Sequence, residues 1–204
     1  MKTRVLKIVG AVVGGLLVLV ATAVGALATQ SRTVDGHSME PTLRNGTRFL
    51  VAPGSGQEVH RFDVVVFTES ARNTTIVKRV IGMPGDRVEI RSAPDDGYQV
   101  LLQEGGSGPW QRVRVPAWSG QDAFGGACCR DDGSGAVEPR AQTVPAGRFF
   151  YLGDNPDGSA DSRKFGWGEV AKVIGRVSAH TWPPTLSWGI GGEPTLEAIP
   201  APVS

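Results

Sequence analysis

The sequence predicts a mainly β protein: an antiparallel β core, interrupted by an inserted β-lobe and preceded by one apolar helix. Three observations predict it. Short runs rich in Val, Ile, Phe and Thr recur along the chain, each bounded by Gly, Pro or Asp, which is the punctuation of a β-meander or small barrel. The 204 residues include 28 glycines and 14 prolines, a turn-rich composition. The residues from Ile8 to Ala28 carry no charge at all.

That apolar run comes first in the chain. About 21 residues at ~1.5 Å each reach roughly 31 Å, the thickness of the hydrocarbon core of a bilayer. It is apolar on every side, unlike the striped helix of a soluble core, and longer than the ~7–15 residues of a cleavable signal. Ala26-Leu27-Ala28 and Ala21-Thr22-Ala23 nevertheless have the small-x-small pattern of a cleavage site, so removal stands as the alternative to an uncleaved anchor. Lys2, Arg4 and Lys7 precede the run and only Arg32 follows it closely. By the positive-inside rule, residues 1–7 are expected in the cytoplasm, 8–28 in the membrane and everything after Thr29 outside the cytoplasm.

The strands follow. Thr47–Ala52, Val59–Phe67, Thr74–Ile81 and Arg87–Arg91 are expected in a first core segment, 29–91. Residues 92–145 are denser in Gly, Ser, Asp and Pro and read as an inserted accessory lobe, with strands at Tyr98–Leu102 and Gln111–Val115. Arg148–Leu152 and Val173–Thr181 return the chain to the core over 146–182. The tail 183–204, with Pro183-Pro184 and Pro200-Ala201-Pro202, is expected to be irregular.

Composition narrows the function. The 21 basic and 20 acidic side chains leave a net charge of +1, which argues against an electrostatic nucleic-acid binder. A hydrophobic content of 40% against 20% charged supplies a sizeable core and argues against wholesale disorder. Cys128 and Cys129 are adjacent, so they can build neither a disulfide framework nor a four-ligand zinc site. Their redox state is left open.

A nucleophile and its base must then come from few residues. Gly36-His37-Ser38-Met39-Glu40 superficially suggests a nucleophile elbow, but Glu40 stands where the second glycine belongs and no strand precedes it. His37 adjoins Ser38, so in an extended chain the two side chains point apart. His60 and His180 have no motif context, and a Ser-His-Asp triad is poorly supported. Lysine is the better base. Beyond the apolar run only Lys78, Lys164 and Lys172 remain, and Lys78 alone lies inside a strong strand pattern, Thr75-Ile76-Val77-Lys78-Arg79-Val80-Ile81. A strand period of 2 puts Ile76, Lys78 and Val80 on one face. An ammonium between branched aliphatics either snorkels to water or loses hydration, which lowers its pKa. Gly153-Asp154-Asn155-Pro156-Asp157-Gly158-Ser159-Ala160-Asp161-Ser162-Arg163-Lys164 is a polar loop. As an EF-hand it fails, with Gly153 at the first ligand position and Lys164 where a bidentate Glu is needed. Its hydroxyls and Asp/Arg pair can instead orient another side chain.

Together these segments resemble the type I signal peptidases, membrane-anchored serine proteases that remove signal peptides from exported proteins. Ser38-Met39-Glu40-Pro41-Thr42-Leu43 is similar to the nucleophile box and Arg61-Phe62-Asp63-Val64-Val65-Val66-Phe67 to the second strand box. Lys78-Arg79-Val80-Ile81-Gly82-Met83-Pro84-Gly85-Asp86 resembles the lysine box, and Gly153 through Arg163 the last one, in the expected order. The resemblance implies an antiparallel β catalytic core with a variable second lobe. It implies Ser38 as nucleophile, Lys78 as general base, and Ser159 as the hydroxyl that positions the lysine amine. It further implies ion pairs around the site from Asp161 and Arg163 and from Asp154 and Arg79. Gly36 stands where some members place a serine in the oxyanion hole, which leaves the backbone N–H of Ser38 as the main donor. The expected partners are signal-peptide-bearing preproteins and the lipid bilayer, with no nucleic acid, metal or organic cofactor; the oligomeric state is unknown. A self-cleaving repressor-type Ser-Lys protease would carry a DNA-binding helix set where this chain has its apolar run. An inactive anchored β-domain is opposed by the retained Ser38, Lys78 and Ser159.

Overall fold

A computed structural model describes residues 2–52, 58–93, 97–118, 127–182 and 192–199. Helix α1 (Lys2–Gln30) covers the residues expected to be an apolar helix. Among the described residues no helix is long and apolar enough to cross a membrane. The described side chains of α1 from Val9 to Thr22 are all exposed.

The rest is antiparallel β in two sheets. The first contains β1 (Ser31–Thr33), β2 (Arg48–Val51), β3 (Val64–Glu69), β4 (Thr74–Gly82), β11 (Arg148–Leu152), β12 (Gly168–Glu169) and β13 (Val173–Trp182). Their order is β1-β2-β13-β3-β4-β11-β12. β13 spans two neighbours: its first half pairs with β3 and its second with β2, with a register shift in each ladder. Such bulges bend a long strand and let it serve both. The second sheet contains β5 (Arg87–Ala93), β6 (Gly97–Gln103), β7 (Gln111–Arg114), β8 (Ala127–Cys128), β9 (Gly135–Ala136) and β14 (Thr195–Ala198), with β10 (Gln142–Thr143) paired to β5. A short helix, α2 (Ser162–Phe165), follows β11.

The sheets share a core. Ile81, Phe150 and Leu152 from the first pack with Val88, Ile90, Val100 and Leu102 from the second, all essentially buried. The chain passes between them through Met83-Pro84-Gly85-Asp86, where Asp86 accepts from the N–H groups of Met83 (2.8 Å) and Gly105 (2.9 Å) and from Arg61 (2.9 Å). Gly82, just before, has no room for a Cβ, which would lie 2.7 Å from Val88. Cys128 and Cys129 are joined to each other by a disulfide and are buried in the shared core.

Four expectations need correction. The second sheet begins at Arg87, so Arg87–Arg91 belongs to it and not to the first core segment. The strand expected over Val59–Phe67 starts only at Val64. Phe62 sits at a positive φ of 72°, where its N–H still donates to the Val80 carbonyl (2.8 Å) while its own carbonyl accepts from the guanidinium of Arg79. The tail is not wholly irregular, because Thr195–Ala198 pairs with Gln111–Arg114, and Arg114 reaches Glu197 at 2.9 Å. Residues 183–191 and 200–204 of that tail lie outside the described residues. The lysine of the polar loop, Lys164, lies in α2 and not in a turn.

Candidate active site

β4 supplies the central side chain. Ile76 and Val80, on the face of Lys78, pack into a cluster with Phe67, Phe149 and Tyr151. Lys78 itself is 3% exposed. Burial is the main cause that lowers its pKa, to about 8, with the carboxylate of Asp161 pulling the other way. The lysine therefore does not snorkel. Its Nζ lies 2.5 Å from Ser38 Oγ and also donates to the carbonyl of Val77 at 3.1 Å.

Ser38 stands on a turn ahead of β2. Glu40 N–H donates to the His37 carbonyl (3.2 Å) and Leu43 N–H to that of Met39 (2.8 Å), which closes the turn, while Met39 and Leu43 anchor it in a buried cluster with Phe49 and Val64. His37 faces away from the serine hydroxyl: its Nδ1 lies 2.9 Å from Glu40 Oε1, and that contact holds the Glu40 carboxyl below its ordinary pKa. Gly36 has φ of 107°, a conformation in which a serine is strained, and this is the local reason glycine stands there.

The loop after β11 closes over the turn. Asp154 is fully buried and takes Arg79 Nε on Oδ1 at 2.8 Å and Nη2 on Oδ2 at 2.6 Å, a bidentate pair. Asp161 is likewise buried. It caps α2 by accepting the Arg163 N–H (3.3 Å), pairs with the Arg163 side chain at 2.8 Å through both oxygens, and accepts the Gly153 N–H at 3.0 Å. Both ion pairs implied by the resemblance are thus present as contacts.

Ser159 differs from what the resemblance implied. Its buried Oγ makes no hydrogen bond among the described residues, and it does not reach Lys78. It is pressed against Gly153 instead: a Cβ on Gly153 would collide with Ser159 Oγ and with the Ser38 carbonyl. Two further residues make contacts that the sequence does not foreshadow. Thr42 Oγ1 donates to Asp154 Oδ2 at 2.5 Å, and Asn155 reaches the carbonyls of His37 (3.1 Å, side chain) and Ser38 (3.2 Å, backbone N–H). Thr42 lies in the segment Ser38–Leu43 and Asn155 in Gly153–Arg163, yet neither carries a charge or a periodicity that marks it.

Beside this cluster lies a cleft of about 350 Å³, lined by Thr33–Asp35, Thr75–Lys78, Ser38 and Met39 among others. Among the described residues β4 pairs with β11 only from Arg79 onward, so Thr74–Lys78 has β3 as its one strand neighbour. A half-paired strand beside a cleft can accept another extended chain.

Comparison with known proteins supplies the family. The profile of the family described as signal peptidase, peptidase S26, matches residues 6–182. Signal peptidase IB of Staphylococcus aureus (strain COL) is 32% identical over 163 residues, covering 78% of this chain and 81% of its own. Signal peptidase I of Bacillus caldolyticus is 33% identical over 154 residues, covering 74% and 78%. A solved signal peptidase I structure from Enterococcus faecalis aligns with a TM-score of 0.40 at 26% identity, over 58% of this chain and 95% of its own. With its profile match running through the Ser38 turn, the Lys78 strand and the closing loop, the chain belongs to the signal peptidase family, peptidase S26.

Proposed function

We propose that this protein is a membrane-bound serine endopeptidase that removes N-terminal signal peptides from exported preproteins after small-x-small motifs, with Ser38 as nucleophile and Lys78 as general base. The observation that carries the reading is the 2.5 Å approach of Lys78 Nζ to Ser38 Oγ at a lysine whose burial lowers its pKa to about 8. The charged amine donates to Oγ; the neutral amine presents a lone pair to the same atom and accepts its proton.

The steps balance without any other group. As Ser38 Oγ attacks the scissile carbonyl, its proton passes to Lys78 Nζ. The oxyanion that forms meets the Ser38 N–H, which among the described residues makes no hydrogen bond of its own. On collapse the C–N bond breaks, Lys78 gives the proton to the leaving amine, and an ester to Ser38 is left. Neutral Lys78 then takes a proton from water, the water attacks the ester, and the proton returns to Ser38 Oγ. The substrate enters as a strand along Thr74–Lys78, with small side chains before the cut facing the cleft. Asp154–Arg79 and Asp161–Arg163 hold the closing loop, and Ser159 supports the site from beside Gly153.

The N-terminal segment sets the location. The uncharged run 8–28, behind Lys2, Arg4 and Lys7, supports a single-pass anchor with a cytoplasmic N-terminus and an extracytoplasmic catalytic domain. Ser38 follows Ala28 by ten positions, at most roughly 36 Å of chain, which keeps the cleft near the bilayer surface. The partners are the preproteins and the lipid; nucleic acid has no part.

The deciding experiment is cleavage of a preprotein by the full chain in detergent or lipid. Wild type is expected to cut after a small-x-small motif and Ser38→Ala not at all; equal cleavage by both rejects the reading. The wild-type kcat/KM is expected to rise with pH through a single ionisation near 8 and then level, because only the neutral amine is a base. A profile flat between pH 6 and 10 rejects Lys78 as that base. Gly153→Ala is expected to lower kcat by about 10²-fold or more, since the added methyl must displace Ser159 or the Ser38 carbonyl. An undiminished kcat in that variant shows that the nucleophile turn tolerates the displacement.

A further inference from the structure

We infer that Thr42 and Asn155 form a two-point clamp on the nucleophile turn, and that as positioning residues they set where Ser38 Oγ lies relative to Lys78 Nζ. The inference rests on the reading of Ser38 as the nucleophile.

The first point of the clamp is near the serine. Asn155 Nδ2 donates to the His37 carbonyl at 3.1 Å and Asn155 N–H to the Ser38 carbonyl at 3.2 Å, so one residue holds both peptide groups that flank the Ser38 Cα. The amide of Asn155 is itself fixed. Its Oδ1 accepts the Gly158 N–H at 3.2 Å, so a flipped amide would set donor against donor there and acceptor against acceptor at His37. Gly158 lies so close that a Cβ on it would come within 2.6 Å of Asn155 Nδ2.

The second point is four residues further along the turn. Thr42, 6% exposed, donates its hydroxyl to Asp154 Oδ2 at 2.5 Å. Asp154 does not need this bond for charge, because Arg79 already neutralises it through two hydrogen bonds. What the hydroxyl adds is a tie between elements. Arg79 follows Lys78 on β4, so Thr42 fastens the far end of the serine turn to a carboxylate that is fastened to the lysine strand. Asp154 and Asn155 are consecutive, and between their two holds the turn from His37 to Thr42 has little freedom to tilt. Proton transfer between Oγ and Nζ requires placement within about 0.5 Å, and a displacement of about 1 Å costs on the order of 10²-fold in rate.

The test uses the full chain in detergent, a preprotein substrate, and kcat and KM measured separately alongside the thermal midpoint. Thr42→Val keeps the shape and removes the donor: kcat is expected to fall about 10–100-fold with KM within about twofold. Thr42→Ser restores the donor and is expected to recover most of that kcat, which a role in packing alone would not produce. Asn155→Ala, which leaves the Asp154–Arg79 pair untouched, is expected to lose kcat by a similar factor, again without a change in KM. Wild-type kcat in either Thr42→Val or Asn155→Ala overturns the clamp, as does equal impairment of Thr42→Val and Thr42→Ser. Should Thr42→Val fail to fold, Asn155→Ala decides alone. Ser38→Ala separates the two readings: if it cleaves as well as wild type, the nucleophile assignment has failed, whereas if it is inactive, the variants bear on the clamp only.

Discussion

Lys78→Arg is expected to lose kcat/KM by at least about 10²–10⁴-fold, the contribution of a general base, and so to approach the inactivity of Ser38→Ala while remaining folded. Arginine keeps the positive charge beside Asp161 but stays protonated at every pH the enzyme meets, so it cannot receive the proton of Ser38. Substantial cleavage by a folded Lys78→Arg variant would sink the Ser-Lys mechanism. The same lysine carries a stability cost, and its sign follows from linkage. Its folded pKa of about 8 lies below the ordinary 10.5, so the folded state binds this proton less readily than the unfolded chain does. The cost is full below pH 8 and vanishes as pH rises past 10.5; at ~1.36 kcal/mol per pH unit it amounts to on the order of 3 kcal/mol at pH 7. Lys78→Met, which fills the same space with an apolar chain, is therefore expected to melt above wild type at pH 7 and level with it near pH 10.5, although inactive. A Lys78→Met variant that melts below wild type at pH 7 would show that the bonds of Nζ to Ser38 and Val77 outweigh the burial.

How much of this was legible beforehand follows from the range of each interaction. Lys78 was readable because the strand period and the apolar neighbours Ile76 and Val80 are local signals, and because lysine alone among the cations there can shed a proton. Arg148–Leu152 matches its expected bounds, for its aromatic run has glycines close on both sides. β14 was hidden. Its four residues lie among prolines and glycines, and what makes them a strand is pairing with β7, whose Arg114 is 83 positions away from Glu197. Phe62 reads as a strand residue by propensity, yet it lies at positive φ with its carbonyl bonded to the Arg79 guanidinium, an arrangement that a weak local preference does not show. Thr42 and Asn155 carry no sign of a role in the sequence, since an uncharged polar residue shows nothing of the distant group it will meet. The sheet boundary at Arg87 was missed for the opposite reason: Arg87–Arg91 is a good strand, and composition cannot say which sheet it joins.

Breaking the Asp154–Arg79 pair is expected to have the largest effect on stability. Asp154 has no exposure and Arg79 has 2%, so either charge left alone is without solvent. Asp154→Asn keeps the shape and strands the guanidinium; Arg79→Met strands the carboxylate, with the Thr42 hydroxyl as its remaining side-chain donor. Each single change is expected to destabilise by about 3–5 kcal/mol, the usual penalty of an uncompensated buried charge. The pair as a whole need not be worth that much, because removing both charges also removes both desolvation costs. Arg79→Met combined with Asp154→Leu is therefore expected to lose less than the two single changes added together, though not to reach wild type, since Thr42 then has no acceptor and the Phe62 carbonyl no guanidinium. Urea unfolding of the full chain in detergent, followed by tryptophan fluorescence, gives the cycle. Asp154→Asn within about 1 kcal/mol of wild type would mean that water reaches this pair, and strictly additive losses would mean that the two side chains stabilise the fold independently. Activity is expected to fall with stability in each single variant. The reason is placement: Gly153 and Asn155, on either side of Asp154, are the residues against which the Ser38 carbonyl rests, so a carboxylate that loses its anchor on β4 lets the Ser38 turn drift from Lys78.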